Sequence, residues 1–436
     1  MWKKRISRAM GGFFCCLFLC VQINVSAAGE PDLYATSAVL MDADAGRVLY
    51  GKNADMPMAM ASTTKIMTCI LLLELGDLED ELSVSDYAAS MPKVKLYLKK
   101  GETYRVGDLL YSLMLESHND SAIALAEYIG KRYLPEELKT KDTAEYTVEE
   151  SKQAVKAFAS LMTKKAEELG CKNTYFITPN GLDATETMTL ANGETVTKEH
   201  CTTATELARI MSYCILESPK KETFLKITQT PSYGFVANGR SYSCVNHNSF
   251  LNMMQGAISG KTGFTNKAGY CYVGALESDG RTFVVALLAC GWPNNKTYKW
   301  SDTKELMQYG MDNFSWKTFE EVRFDEGKLN ALPVEGGCTD VLGGMAKTHL
   351  SIKTGEEKCQ GVLLGPGEEI SVTYQCKRNL TAPVREGQIV GTVTYSVGDV
   401  VYKTDHIVTC NSVEKIDFSW CMEQILSRFL NVGEQY

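Results

Sequence analysis

Three short elements in a fixed order constrain this chain more than any other feature of its sequence. They are Ser62–Lys65, Ser117–Asn119 and Lys261–Gly263, with the patterns Ser-x-x-Lys, Ser-x-Asn and Lys-Thr-Gly. The first stands at the start of an apolar run, Thr63–Leu75, whose spacing predicts a helix. We therefore expect a fold that brings a helix start together with two segments that are distant in the sequence.

The context of each pattern separates this set from other copies in the chain. Ser-x-x-Lys recurs at Ser90–Lys93, Ser218–Lys221, Ser301–Lys304 and Ser412–Lys415, whereas Ser-x-Asn occurs once. Two of those copies contain proline, and the other two follow the first Lys-Thr-Gly. A second Lys-Thr-Gly, Lys353–Gly355, precedes two glutamates in a region of short β-like runs. We interpret the additional copies as surface segments.

The spacing of Ser62 and Lys65 suits nucleophilic catalysis. Three positions apart in a first helical turn, the two side chains share a face, so the amine can reach the hydroxyl. A serine hydroxyl needs a base to remove its proton, and a lysine can do so only as a neutral amine. Burial and the charge of Lys261 would both lower the pKa of Lys65. The sequence therefore predicts Ser62 as nucleophile and Lys65 as base.

The remaining residues of the set suit cleavage of an amide bond next to a carboxylate. Ser117 would pass a proton to the leaving amine, and no metal or cofactor is required. The backbone N–H groups of Ser62 and Phe264 would form an oxyanion hole. Lys261 and Thr262 would bind the carboxylate, and Asn119 the substrate amide. The predicted substrate-binding residues are Asn119, Lys261, Thr262, Gly263 and Phe264.

With these motifs the chain resembles the low-molecular-mass penicillin-binding proteins, the serine-type D-alanyl-D-alanine carboxypeptidase family. The resemblance runs from about Ala35 to Thr409. It is strongest at Ala61–Thr68, Thr178–Asp183 and Gly260–Cys271. It implies an α/β fold with a β-lactamase/transpeptidase-like catalytic domain, an antiparallel sheet flanked by helices. A small all-β domain and a C-terminal amphipathic helix would follow.

The resemblance also implies a function. Members remove the terminal D-alanine from peptidoglycan pentapeptide stems through an acyl-enzyme, here on Ser62, and bind β-lactams covalently as inhibitors. Two departures stand out. His118 occupies a position where the family often has a small residue, which predicts a narrower cleft rim or an altered substrate preference. The long separation of Ser117 from Lys261 predicts insertions at Lys131–Glu150 and Ala184–Thr197.

The two ends of the chain carry features of an exported protein. A basic patch, an apolar run at Gly11–Val21 and small residues at Val25–Ala27 predict a signal peptide over residues 1–27. The apolar run is shorter than the ~20 residues that span a bilayer. We expect a catalytic domain over 30–316, a β-rich domain over 317–411 and a membrane-associating helix over 412–436.

The sequence of the C-terminal tail predicts peripheral binding to a membrane surface. Phe418, Met422, Ile425, Phe429 and Val432 fall on one helical stripe. This pattern favours a helix lying in a membrane surface over one packed on its own protein. The expected location is the outer face of the cytoplasmic membrane or the cell wall.

Composition limits the partners and the redox chemistry. A formal net charge of −8 argues against a nucleic-acid partner. Of 15 cysteines, three lie in the predicted signal, and the rest show neither CxxC pairs nor zinc-ligand spacing. Many lie in apolar runs, so one hypothesis is an oxygen-poor habitat in which exported thiols stay reduced.

Other activities of the same acylation set remain alternatives. A D,D-endopeptidase or transpeptidase would use the same acyl-enzyme, and a non-catalytic protein could bind wall peptides alone. A class A β-lactamase also needs a glutamate in a Glu-x-x-Leu-Asn segment between the second and third motifs. The one match, Glu326–Asn330, lies beyond the third motif, so we expect penicillin to form a long-lived adduct on Ser62.

Overall fold

The computed structural model describes residues 29–189, 193–340, 343–355 and 359–431. The predicted signal peptide, and Val432 at the end of the predicted stripe, lie outside these residues. The helices are α1 (Lys65–Leu75), α2 (Asp86–Ala89), α3 (Val106–Tyr111), α4 (Asn119–Gly130), α5 (Glu136–Thr140), α6 (Val148–Glu168), α7 (Ala204–Ser212), α8 (Lys221–Gln229), α9 (Tyr298–Asn313) and α10 (Phe418–Asn431).

Short strands and hairpins alternate with these helices, and the nine strands from β12 to β20 lie between α9 and α10. The strands are β1 (Ser37–Asp42), β2 (Arg47–Lys52), β3 (Glu81–Ser83), β4 (Thr103–Arg105), β5 (Thr185–Thr189), β6 (Thr195–Glu199), β7 (Ser232–Ala237), β8 (Arg240–Val245), β9 (Ala257–Thr265), β10 (Gly269–Ser278), β11 (Arg281–Leu288), β12 (Ser315–Thr318), β13 (Leu332–Glu335), β14 (Ala346–Thr348), β15 (Leu350–Lys353), β16 (Gly361–Leu364), β17 (Ser371–Cys376), β18 (Leu380–Thr381), β19 (Ile389–Val397) and β20 (Val400–Thr409).

A five-stranded antiparallel sheet of order β2-β1-β11-β10-β9 organises the larger part of the protein. Every residue of β1 is buried because helices cover both faces of the sheet. Side chains such as Val39 and Val284 pack among α1, α4 and α7. Leu40 and Val285, which point the other way, pack against α9. The predicted antiparallel sheet flanked by helices is confirmed, and β9 lies at its edge.

The turn before α1 is tighter than the sequence suggested. Ala61–Thr64 forms a 3-10 turn, and the α-helix begins at Lys65 instead of Thr63. Two close approaches hold this turn. A Cβ on Gly263 of β9 would lie 2.8 Å from the Ser62 nitrogen, and one on Gly181 would lie 2.0 Å from the Ala61 carbonyl oxygen. Only glycine lets both backbones come this close, and Gly181 also has a φ of +84°.

Two helices end or begin for local reasons. α3 stops at Tyr111, and the chain continues as a π turn to Glu116. α6 begins at Val148 because Thr147 and Glu150 form a capping box.

The structure also describes the segments around the predicted insertions. α7 begins at Ala204, after the second of them. The predicted insertion Lys131–Glu150 holds α5 and the start of α6. Ala184–Thr197 contains most of the β5–β6 hairpin.

The C-terminal part is a small all-β unit, as predicted. Its sheets have the orders β15-β20-β19-β17 and β14-β13-β18, and Val393, Tyr395 and Ile407 lie in its core. The domain boundary expected after residue 316 falls within β12, which pairs with β16. This domain division stays a prediction.

The last helix exposes the apolar side chains that the sequence placed on one stripe. The exposed fractions are 80% for Phe418, 40% for Met422, 49% for Ile425 and 80% for Phe429. Within the described residues, no helix combines the length and apolar character needed to cross a bilayer. Of the twelve cysteines in the described residues, six are buried free thiols: Cys69, Cys171, Cys214, Cys244, Cys271 and Cys290.

Candidate active site

The three sequence elements meet in one cleft of about 620 Å³. Its walls are β9 on one side and the Ser117 loop on the other, with Ser62 between them. Of the predicted site residues, those that line the cleft are Ser62, Ser117, Asn119, Thr262, Gly263 and Phe264. Lys65 and Lys261 lie beneath this surface, with 0% and 3% of their areas exposed. The structure thus brings together all eight residues that the sequence selected.

The side-chain nitrogen of Lys65 faces three oxygens. Its Nζ lies 2.9 Å from Oγ of Ser62, 3.0 Å from Oδ1 of Asn119 and 2.5 Å from the carbonyl oxygen of Asn180. The second and third oxygens can only accept hydrogen bonds. When Lys65 is neutral, its two N–H groups are used by these acceptors, and its lone pair is left facing the Ser62 hydroxyl. The arrangement therefore suits removal of the Ser62 proton.

Burial supplies the neutral lysine that this geometry requires. Desolvation, and then the positive charge of Lys261, hold the pKa of Lys65 well below its ordinary value, while Asp120 opposes them. Burial also lowers the pKa of Lys261 to about 7. The shift of Lys65 runs in the direction expected from the sequence, and both shifts arise because a low dielectric disfavours the charged form.

Ser117 adopts a conformation that few residues other than glycine occupy. It ends the π turn with φ 66° and ψ 30°, in the left-handed region. Its hydroxyl is buried and has no hydrogen-bond partner within the described residues. Because a buried polar group without a partner is costly, this hydroxyl is available to a bound substrate.

The prediction for His118 is corrected by the structure. His118 is 8% exposed and is not among the residues that line the cleft. Its Nδ1 lies 2.8 Å from Oγ of Ser112, which is also 2.8 Å from Oγ of Ser121. The side chain therefore turns into the protein and does not narrow the cleft rim.

Sequence reasoning missed several residues of the site. The carbonyl of Asn180 holds Lys65, and the resemblance at Thr178–Asp183 was the one signal that pointed there. Glu116 and His247 form a pair across the cleft rim, with 2.7 Å between Oε2 and Nε2. Lys299 contacts the Tyr270 ring at 4.7 Å. Other lining residues are Lys93, Val94, Gly181, Leu182, Ser249, Thr265, Lys296, Thr297 and Trp300.

Comparison with known proteins shows the family to which this chain is similar. The family described as D-alanyl-D-alanine carboxypeptidase matches residues 24–133 and 149–289. The C-terminal domain of penicillin-binding protein 5 matches residues 365–415. The unmatched stretch between the first two segments lies inside the predicted insertion Lys131–Glu150 and contains α5.

Individual relatives extend the likeness over most of the chain. D-alanyl-D-alanine carboxypeptidase DacF of Bacillus subtilis is 25% identical over 398 residues, covering 88% of this chain and 87% of that protein. DacC of Escherichia coli is 26% identical over 437 residues, covering 94% and 92%.

Solved structures share the fold. Penicillin-binding protein 5 from Haemophilus influenzae superposes with a TM-score of 0.63 and 23% identity, over 89% of this chain and 100% of that one. The D-alanyl-D-alanine carboxypeptidase from Mycobacterium tuberculosis gives a TM-score of 0.53 and 26% identity, over 66% and 94%. With a family match over more than half of its length and a serine–lysine pair at the centre of its cleft, this chain belongs to the D-alanyl-D-alanine carboxypeptidase family of serine peptidases.

Proposed function

We propose that Ser62 attacks the carbonyl carbon between the two D-alanines of a peptidoglycan pentapeptide stem. The C–N bond breaks, D-alanine leaves, and the shortened stem remains as an ester on Ser62. Water then hydrolyses the ester and frees the serine. The observation that carries this proposal is the 2.9 Å contact between Lys65 Nζ and Ser62 Oγ. The two N–H groups of the neutral amine donate to Asn119 Oδ1 and the Asn180 carbonyl, which can only accept.

The proton removed from Ser62 must reach the leaving amine. Lys65 takes it first, and the unpartnered hydroxyl of Ser117 can pass it on. Lys261 and Thr262 would bind the terminal carboxylate, since β9 lies beside the nucleophile. The N–H groups of Ser62 and Phe264 would stabilise the oxyanion, and Asn119 would hold the substrate amide.

Release of D-alanine from a pentapeptide stem tests this assignment. Ser62→Ala removes the nucleophile and should abolish both D-alanine release and the mass of a penicillin adduct on the protein. Ser301→Ala is the matched control, because Ser301 starts another Ser-x-x-Lys copy on the exposed side of α9. D-alanine release by Ser62→Ala at the wild-type rate would refute the role of Ser62.

The penicillin adduct on Ser62 should be long-lived. Glu326, in the one Glu-x-x-Leu-Asn match, lies in the small β unit, where its carboxylate accepts from the Ile352 N–H at 3.4 Å. It is not among the residues that line the cleft. We expect the adduct to persist in mass spectra, and rapid turnover of a chromogenic β-lactam would favour the β-lactamase alternative.

We also propose that the protein acts outside the cytoplasmic membrane and binds that membrane peripherally through α10. Its exposed stripe of Phe418, Met422, Ile425 and Phe429 supplies the apolar contact. Co-sedimentation with phosphatidylglycerol vesicles should be lost when Phe418 and Phe429 are both replaced by serine, while turnover of a soluble pentapeptide stays unchanged. Because Arg428 is the single basic residue in α10, binding should persist at high salt.

A further inference from the structure

A buried histidine behind the catalytic turn bridges two segments of the site. His200 follows β6 and is 3% exposed. Its Nε2 lies 2.9 Å from Oγ1 of Thr64, in the 3-10 turn that carries Ser62. Its Nδ1 lies 3.0 Å from the Ile177 nitrogen, in the loop that carries Asn180. Each ring nitrogen is thus bonded to a different side of the site.

The donors and acceptors fix the state of this ring. A backbone N–H can only donate, so Nδ1 of His200 accepts from Ile177 and carries no proton. In the neutral ring Nε2 therefore carries the hydrogen and donates to Thr64, whose own hydroxyl donates to the Ala61 carbonyl at 2.8 Å. Burial lowers the pKa of His200 to about 3, so the ring stays neutral at neutral pH.

The loop on the far side of this bridge touches the catalytic lysine. The Asn180 carbonyl accepts from Lys65 at 2.5 Å, and the Pro179 carbonyl accepts from Oγ1 of Thr68 at 2.7 Å. We propose that His200 is a positioning residue, which holds the Ile177–Asn180 loop on the Thr64 turn so that the Lys65 lone pair faces Ser62. This inference rests on the proposed roles of Lys65 and Ser62.

Loss of the bridge should affect the base and leave the cleft walls intact. Without the Nδ1 acceptor, the partly buried Ile177 N–H loses its partner, and the loop moves to find another. The Asn180 carbonyl then no longer fixes one N–H of Lys65. Lys261 of β9 and Asp120 of α4, the charged groups that act on Lys65, both remain. Any alkaline shift of the acylation profile would therefore come from the loop.

Three substitutions at one position test the bridge. His200→Leu removes both contacts, His200→Asn keeps an acceptor near Nδ1, and His200→Gln keeps a donor near Nε2. The readout is the rate of penicillin acylation per folded molecule, followed from neutral to alkaline pH. We expect His200→Leu to lose about 10- to 100-fold at neutral pH, with the midpoint of the profile moved to higher pH. His200→Asn should recover most of the rate, and KM for the pentapeptide should change little.

Controls separate positioning from simple destabilisation. His406→Asn, in β20 of the small β unit, should leave both rate and profile unchanged. Wild-type acylation by His200→Leu would overturn the inference, and so would a lower rate with an unmoved pH midpoint. If His200→Leu does not fold, Thr64→Val breaks the Nε2 contact from the other side and should move the midpoint in the same direction. A profile unchanged in Thr64→Val would also overturn it.

The failure of this inference can be told apart from failure of the proposed function. If the His200 variants behave as wild type while Ser62→Ala is inactive, only the positioning role is lost. If Ser62→Ala still releases D-alanine, the proposed nucleophile itself is wrong.

Discussion

The tripeptide Lys-Thr-Gly occurs twice in this chain, in two contrasting environments. In Lys261–Gly263 the lysine is 3% exposed on an edge strand, and a Cβ on Gly263 would lie 2.8 Å from the Ser62 nitrogen. In Lys353–Gly355 the lysine and threonine are exposed at the end of β15. There Gly355 packs on the Thr404 carbonyl, 2.0 Å from its Cβ position.

The comparison shows what turns a short motif into a site. Both copies need glycine for close backbone packing, so packing alone does not distinguish them. The first copy also buries its lysine, whose pKa falls to about 7. A buried ammonium opposes folding, which indicates that this lysine is kept for binding or catalysis. Lys353 of the second copy is exposed, so its ammonium group causes no such desolvation penalty.

The largest difference between the two copies is expected in activity, when the lysine of each copy is replaced by methionine. Lys261→Met removes the cation proposed to bind the terminal carboxylate, so D-alanine release should fall by about 10²–10³-fold. Lys353→Met removes an exposed charge in the small β unit and should leave release unchanged. Equal losses in the two variants would contradict the contrast between the copies.

Lys261→Met and Lys353→Met should also differ in stability. Here Lys261→Met should be the more stable variant, although it is the less active one. The pKa of Lys261 is lowered from 10.5 to about 7 in the folded protein, so protonation favours the unfolded chain. This penalty is full below pH 7, shrinks as the pH rises, and vanishes above the unfolded value. Lys261→Met should therefore raise the free energy of unfolding by about 1–4 kcal/mol near neutral pH. Urea unfolding at neutral and at strongly alkaline pH measures the difference, and Lys353→Met should show none.

The residual acylation of Lys261→Met should also need a higher pH. The Lys261 charge helps to lower the pKa of Lys65, so its removal raises that pKa and leaves more of the base protonated at neutral pH. The rising limb of the penicillin acylation profile should move to the alkaline side. If the rising limb moves to lower pH instead, the Lys261 charge does not lower the pKa of Lys65. Burial and another charged group would then control that pKa.

Much of this contrast could be read from the sequence. Order along the chain and the apolar run after Ser62 selected the copies of each motif that lie together at the cleft. The family resemblance at Gly260–Cys271 marked the segment that forms β9 and the start of β10 in the central sheet. These patterns are local, because a helix start or a hairpin is determined by residues within a few positions.

The rest depends on contacts between distant segments. Asn180 holds Lys65 through its backbone carbonyl, and any residue type could supply that group. The Glu116–His247 pair joins residues 131 positions apart. A π turn leaves Ser117 in the left-handed region, and the residue types of that turn do not indicate this conformation. No periodicity in the sequence signals any of these three features.

Replacing Gly263 or Gly355 by alanine should have a smaller effect, on turnover at Gly263 and on stability at Gly355. Gly263→Ala must push β9 away from the Ser62 turn, and such a displacement should lower turnover by about 10-fold or more. Gly355→Ala should cost about 1–3 kcal/mol of stability through overpacking on Thr404, with turnover per folded molecule unchanged. Thermal unfolding and D-alanine release, measured on the same samples, separate the two outcomes. A Gly355→Ala enzyme with impaired turnover would mean that the small β unit acts on the cleft.

The smallest effect is expected at the two threonines. Thr262 lines the cleft, and its hydroxyl is proposed to bond the terminal carboxylate. Valine keeps the shape and the strand preference but removes this bond, worth about tenfold in kcat/KM for a hydrogen bond to a charged group. Thr354→Val should stay within about 0.5 kcal/mol of wild type in stability and leave turnover unchanged. A pentapeptide amidated at its C-terminus lacks the carboxylate, so on that substrate Thr262→Val should match wild type. If the tenfold loss persists with the amidated pentapeptide, Thr262 affects the cleft by its packing and not by binding the carboxylate. The difference between Thr262 and Thr354 would then arise from their burial.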